Sequence, residues 1–146
     1  MTDPNCIFCK IIAGQIPSVR VYEDEDVVAF LDIAPIAPGH TLVVPRRHCV
    51  NLLDAPHEAL SALMAAAPKV ARAVTRATGA EGFNFAQFNG PCSGQVVMHL
   101  HFHIVPRKPG DGVSFRWKQG QYAEGEMAAL GAKVREAMGR HVTRDA

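Results

Sequence analysis

No run of about eighteen apolar residues occurs in this 146-residue chain, so nothing in it can cross a bilayer as a helix. An excess of one charge is missing too. Fifteen Lys and Arg stand against 14 Asp and Glu, a net charge of +1, which excludes a protein built mainly to coat nucleic acid. The opening Met1-Thr2-Asp3-Pro4-Asn5-Cys6 lacks a basic stretch followed by an apolar one, so no secretory signal is read there. A reducing cytoplasm is therefore the expected location. In that setting Cys6, Cys9, Cys49 and Cys92 are expected as metal ligands, reactive thiols or small core residues rather than disulfides. Repeats, low-complexity runs and linker-like stretches are also lacking, which predicts one domain over residues 1–146. With 48% hydrophobic residues, a chain of this length buries roughly 70% of its unfolded surface and can build a core without staples.

What is present reads as an α+β protein. Val19 to Tyr22 and Val27 to Leu31 flank the polar Glu23-Asp24-Glu25-Asp26 and predict a hairpin. Pro38-Gly39 opens a third strand over His40 to Val44, and Pro45 ends it. Phe83, Phe85 and Phe88 mark a fourth, between Gly82 and Asn89-Gly90-Pro91, and Val97 to Val105 a fifth, stopped by Pro106. Between the third and fourth, Leu60, Leu63, Met64, Ala67, Val70, Ala71 and Val74 recur at three- and four-residue steps, one stripe of an amphipathic helix. Pro68 within it predicts a kink or a split, and Gly79 a stop. A second helix is expected from about Ala123 to Met138, with Met127, Leu130, Val134 and Met138 on one side. Short connections between five strands favour an antiparallel sheet.

His99-Leu100-His101-Phe102-His103-Ile104-Val105 is the informative stretch. Alternation along a strand puts the three histidines on one face and Leu100, Phe102 and Ile104 on the other. Seven histidines in 146 residues make this spacing a poor product of chance. Three readings stay open on the residues alone: a polar outer face, a metal site, and catalysis by an imidazole that is nucleophilic and proton-exchanging near neutral pH. The Gly-rich Asn89-Gly90-Pro91-Cys92-Ser93-Gly94-Gln95 just upstream can present backbone N–H groups to an anion.

These residues resemble the histidine triad (HIT) family of nucleotide hydrolases and transferases. The resemblance rests on the alternating strand at 99–105, the preceding Gly94-Gln95, Ala37-Pro38-Gly39-His40, Ala29-Phe30-Leu31-Asp32-Ile33 and the opening Cys6-Ile7-Phe8-Cys9-Lys10-Ile11-Ile12. It covers about residues 6–112 and leaves about 113–146 as a helical extension. It implies the HIT-like fold, with His101 as nucleophile on the α-phosphorus of a purine nucleotide, His103 on the phosphate, and His99 and His40 in support. It implies Asp32 on the ribose, Phe8, Ile11, Phe30 and Ile33 around the base, and Asn89, Gly94 and Gln95 on the phosphate side. Where many members have Ser or Thr after the Gly-Gln pair, this chain has Val96, which leaves only a backbone N–H there.

The Cys6-x-x-Cys9 pair reads either as a redox motif, for which the expected βαβ context is missing, or as half of a metal site. The resemblance supplies the other half as His48 and His99, a closed Cys2His2 zinc site of structural role. Cys49 and Cys92 are expected to be unliganded, and His57 and His141 to lie on the surface. The resemblance also implies a homodimer through the long helix and fourth strand; Trp117, beyond the matching stretch, is expected as an anchor toward the partner's active site. Three functions compete: a nucleotidyl hydrolase acting on phosphoramidates, acyl-adenylates or dinucleoside polyphosphates; a nucleotide- or metal-binding interaction protein; and a metallohydrolase using the triad as open ligands. The last lacks a nearby acidic general base. Neither nucleic acid nor membrane is an expected partner.

Overall fold

A computed structural model describes residues 2–139, which form two compact units meeting between Val113 and Ser114. The first holds α1 (Ile7–Ile12), β1 (Arg20–Glu23), β2 (Val27–Leu31), β3 (Thr41–Pro45), α2 (His57–Thr78), β4 (Gly82–Ala86), a 3₁₀ turn at Pro91–Ser93 and β5 (Phe102–Arg107). The strands make one antiparallel sheet in the order β1-β2-β3-β5-β4, the expected α+β arrangement.

β3 is the central strand of this sheet with β2 beside it, both paired on two edges, and their sequences show why. Val27 to Phe30 and Thr41 to Pro45 are buried without a break, which requires cover on both faces. Val27, Ala29 and Val43 pack with Leu63, Ala66, Val70, Ala71 and Val74 of α2, together with Leu100, Phe102 and Ile104. Val28, Phe30, Leu42 and Val44 point the other way, against Cys6, Phe8, Cys9 and Ile11. The second cover is α1, which the sequence reading missed. Six residues carry too little periodicity to be recognised as a helix, and Cys6 caps it, its sulfur accepting from the Cys9 N–H at 3.5 Å.

Several expectations need correction. Pro68 does not split the long helix, which runs 22 residues as one element. Pro68 and Met64, whose carbonyl loses its helical donor, both lie on the exposed side, where water can satisfy it. The fifth strand begins at Phe102 rather than Val97, and it runs through Pro106 to Arg107 rather than stopping at Pro106. The register that pairs Val43 with Phe102 would bring Leu100 opposite Pro45, which has no N–H to give. Leu100 instead donates its backbone N–H to the Cys49 carbonyl at 2.8 Å. Of the triad, only His103 is therefore in the ladder. The fourth strand ends at Ala86, leaving Phe88 in the following loop.

Gly39 is one place where glycine is required. Its φ is +91°, and an added Cβ would sit 2.6 Å from Thr78 Cγ2, at the end of α2. The turn it permits delivers His40 beside the triad. Helix α2 closes at Gly79, in the left-handed conformation as expected. In the second unit, α3 (Glu126–Met138) starts three residues later than the sequence pattern placed it, and its Met127, Leu130, Val134 and Met138 are exposed, as is Trp117.

Candidate active site and metal-ligand cluster

Although the ladder starts late, the alternation survives. Leu100, Phe102 and Ile104 enter the core under α2, and the histidines line the opposite side, His99 fully buried and His101 7% exposed. The rings of His101 and His103 are 4.9 Å apart. Phe8 from α1 sets its ring edge-on to His101 at 5.1 Å and to Phe30 at 5.5 Å.

A backbone group fixes the tautomers of His101, His99 and His40, and His40 fixes that of His103. His101 Nδ1–H donates to the carbonyl of His99 at 2.6 Å, which leaves the lone pair on Nε2. His99 Nε2–H donates to the carbonyl of Pro45 at 2.9 Å, which leaves its Nδ1 lone pair for the cysteines. His40 Nδ1 accepts from the Ile36 N–H at 3.1 Å, so its Nε2–H donates to His103 Nδ1 at 2.9 Å. His103 then carries its proton on Nε2. Asp32 Oδ2 lies 3.7 Å from His40 Nε2, and its Oδ1 accepts from the Ala34 N–H. Asp32, His40 and His103 bring three ligand atoms together, but the His40 nitrogen facing the group is the protonated one. This is a proton-ordered chain and not a metal centre.

Burial pushes the pKa of all four histidines down, with His99 and His103 at about 4 and His40 and His101 lowered in the same direction. All four are neutral at pH 7, and His101 offers an unprotonated Nε2. The unfolded chain takes up protons at about 6.5, where the native state resists them. The histidine contribution to stability is thus complete at neutral pH and falls as pH drops from about 6.5 toward 4, whereas the raised thiol of Cys49 costs stability only at alkaline pH, above its unfolded value. The carboxylates Glu23, Asp24 and Asp54 have lowered pKa values, so their contributions begin to be lost only near their unfolded values of about 4 to 4.5, at the bottom of the histidine window. A melting temperature that is flat between about pH 7 and 8 and declines between pH 6.5 and 4 is expected; one unchanged at pH 5 would contradict it.

On the far side of His99 the four remaining candidates converge. Cys6 Sγ and Cys9 Sγ lie 3.4 and 3.6 Å from His99 Nδ1, Cys9 Sγ lies 3.5 Å from His48 Nδ1, and the two Nδ1 atoms are 3.2 Å apart. All four ligand atoms fall within 4.8 Å of one another and could hold one metal ion. Spacing explains the sulfurs, since residues three apart across the first turn of a helix share a side. Asp3, unmarked in sequence, adds a backbone N–H to Cys9 Sγ at 3.4 Å and a carboxylate 3.9 Å from His48 Nε2. Cys49 is buried apart from the cluster, its thiol pushed up to about 11 by burial, and Cys92 is exposed. His57 is exposed; His141 lies outside the described residues.

The remaining predicted residues divide. Phe8, Ile11 and Phe30 pack together, and Ile33 is fully exposed beside Asp32. Gly94 turns the loop at φ +103°, ahead of Val96, 87% exposed. Gln95 is buried and its amide is consumed. Nε2 donates to the carbonyls of Val50 and Val97, and Oε1 accepts from the Gly90 N–H. It shapes the loop and has no donor left for an anion. Asn89 is held by Gln87 and the Leu52 N–H, contacts with no sequence signal.

The HIT domain family profile matches residues 13–110. Protein hit of Bacillus subtilis is 50% identical over 115 residues, 78% of this chain and 79% of its own. Adenosine 5'-monophosphoramidase hnt1 of Schizosaccharomyces pombe is 39% identical over 132 residues, 89% of this chain and 96% of its own. A Zn-bound histidine triad family protein from Mycobacterium smegmatis shares the fold with a TM-score of 0.72 at 39% identity, covering 91% of this chain and 97% of that one. A profile match over most of the chain, with such identities along most of both partners, means that this protein belongs to the histidine triad (HIT) family.

Proposed function

We infer that the protein is a nucleotidyl hydrolase that cleaves substituted α-phosphates of purine nucleotides through a covalent intermediate on His101. The observation that carries this is the 2.6 Å bond from His101 Nδ1–H to the His99 carbonyl. It leaves a neutral imidazole, buried and oriented, with its reactive nitrogen unprotonated. In the first step Nε2 attacks phosphorus, the bond to the leaving group breaks with its electron pair, and a phosphoryl-imidazolium forms. The positive charge falls beside the His99 carbonyl. Water then attacks phosphorus, the P–N bond breaks, and the nucleoside monophosphate leaves. His103 faces this chemistry with an Nε2–H donor, held there by His40 and the Ile36 N–H. Asp32 has the acceptor chemistry a ribose needs, and Phe8, Ile11, Phe30 and Ile33 supply apolar surface for the base. The phosphoramidase activity named for the fission-yeast relative fits this reading.

The test is mass spectrometry after brief mixing with adenosine 5'-phosphoramidate. One adenylyl group on a peptide carrying His101 is expected. Turnover without any adduct in rapidly quenched samples, or no turnover, would refute the reading.

Cys6, Cys9, His48 and His99 are assigned to one structural zinc ion. Zn–S of about 2.3 Å and Zn–N of about 2.0–2.1 Å in a tetrahedron separate neighbouring ligand atoms by roughly 3.3–3.8 Å, close to the 3.2–3.6 Å found here. Pro45 and Asp3 orient the two imidazoles from behind. Four protein ligands leave no open position, so the ion contributes cross-linking and no water activation.

A homodimer completes the proposal. Strand β4 is a sheet edge, and exposed Phe83, Phe85 and Met64 form an apolar groove there with Ala67, Pro68 and Ala71. Trp117 is available to the partner. Light scattering at micromolar concentration is expected to give twice the 15.8 kDa chain mass; a monomer would contradict it. A cytoplasmic location is proposed on the same footing.

A further inference from the structure

Gln87, the first residue after β4, makes an unusually complete set of bonds for a loop side chain. Its Nε2 donates to Asn89 Oδ1 at 2.9 Å and to the Phe88 carbonyl at 3.0 Å, and its Oε1 accepts from Asn89 Nδ2 at 2.8 Å. Asn89 Oδ1 also accepts the Leu52 N–H at 2.8 Å. Both lone pairs of that oxygen are therefore committed, and one Nδ2–H is left uncommitted among the described residues. Leu52 belongs to the loop that begins at His48 of the metal-ligand cluster, and Asp54 folds that loop by accepting from the Val50 and Asn51 N–H groups. A second bridge runs in parallel from Gln95 Nε2 to the Val50 carbonyl at 2.6 Å.

We propose that Gln87 is a positioning residue that acts through Asn89, locking the Gly-rich loop 89–95 onto the 48–54 loop so that the loop meets the phosphate in one geometry. The inference rests on the hydrolase reading above. Its chemical reason is that only a carboxamide presents a donor and an acceptor side by side. Gln87 thereby fixes which end of the Asn89 amide meets Leu52 and which end faces the ligand. A carboxylate at 87 would still accept from Asn89 Nδ2, but its second oxygen would oppose Asn89 Oδ1 and pull the amide off Leu52. Phe88, between the two amides in sequence, has its ring 5.4 Å from that of His103, so a slack 87–89 turn also loosens the wall beside that histidine.

The experiment combines Q87M, Q87E, N89A and Q87M/N89A with steady-state kinetics on adenosine 5'-phosphoramidate and amide hydrogen exchange at Leu52. Q87E is expected to lower kcat roughly ten- to hundredfold with KM changed less than about threefold, since donors placed for the transition state act on kcat. Q87M should be milder, and should change kcat less than twofold in the N89A background, the non-additivity of two residues acting as one. Leu52 exchange should rise at least tenfold in Q87M. A merely structural role would lower the melting temperature and leave both constants unchanged in the folded fraction. Additive effects, or a kcat within threefold of wild type in Q87E, overturn the proposal, as does unchanged Leu52 exchange in Q87M. Failure of the hydrolase reading is seen separately as a wild type without turnover. In that event the Leu52 exchange and the affinity for AMP in Q87M decide whether the clamp exists.

Discussion

His101→Ala is expected to lower kcat/KM on a nucleoside phosphoramidate by about three orders of magnitude or more, and to abolish the nucleotidyl adduct. The side chain lies between Phe8 and His103 and hydrogen-bonds only to the backbone carbonyl of His99. Its loss removes the proposed nucleophile without leaving a buried charge unpaired. A folded protein that still binds AMP should remain, because Asp32 and the apolar residues of α1 and β2 are untouched. Circular dichroism and AMP titration check the fold and the site, and kinetics check the chemistry. Activity within tenfold of wild type would remove His101 from the mechanism. His40→Ala should be milder, since it frees the tautomer of His103 and takes away no reacting atom.

The second large effect concerns Cys6→Ala with Cys9→Ala. The double variant should purify without zinc, melt lower by roughly 10 °C or more, and raise KM more than it lowers kcat. Helix α1 sits near a chain end, where order needs a tie. The cluster ties it to the end of β3 through His48 and to the triad through His99. Phe8 and Ile11 ride on that helix and pack on Phe30, so its loosening opens the surface proposed for the base. His101 keeps its bond to the His99 carbonyl, so chemistry should suffer less than binding. Zinc below about a tenth of an equivalent in gently purified wild type would count against the site. A double variant that retains its zinc would place the metal on the triad instead, and the separation of metal from chemistry would fail.

Local pattern was enough for much of this. The alternation at 99–105 sorted three histidines from three core residues correctly even where no ladder forms, because side-chain alternation needs only extended backbone. The strand at Val27–Leu31, the stop of the long helix at Gly79 and the pairing of Cys6 with Cys9 depend on neighbours within a few positions. What could not be read was set by groups far apart in sequence or by backbone atoms without a side-chain signature. Leu100 leaves the sheet because the Cys49 carbonyl takes its N–H. Gln95, conspicuous in sequence, spends its amide on Val50 and Val97, while Gln87, inconspicuous, holds Asn89.

The sequence by itself determined the family, the α+β class, the face on which the histidines lie and the residue types available for a metal and for a nucleophile, since these follow from residue chemistry at short spacing. The tertiary structure alone decided which nitrogen of His40, His99, His101 and His103 carries its proton. That depends on the carbonyls of His99 and Pro45 and the N–H of Ile36, brought beside the rings by the meeting of β3, β5 and their loops, and it gives three chemically identical side chains three different free nitrogens.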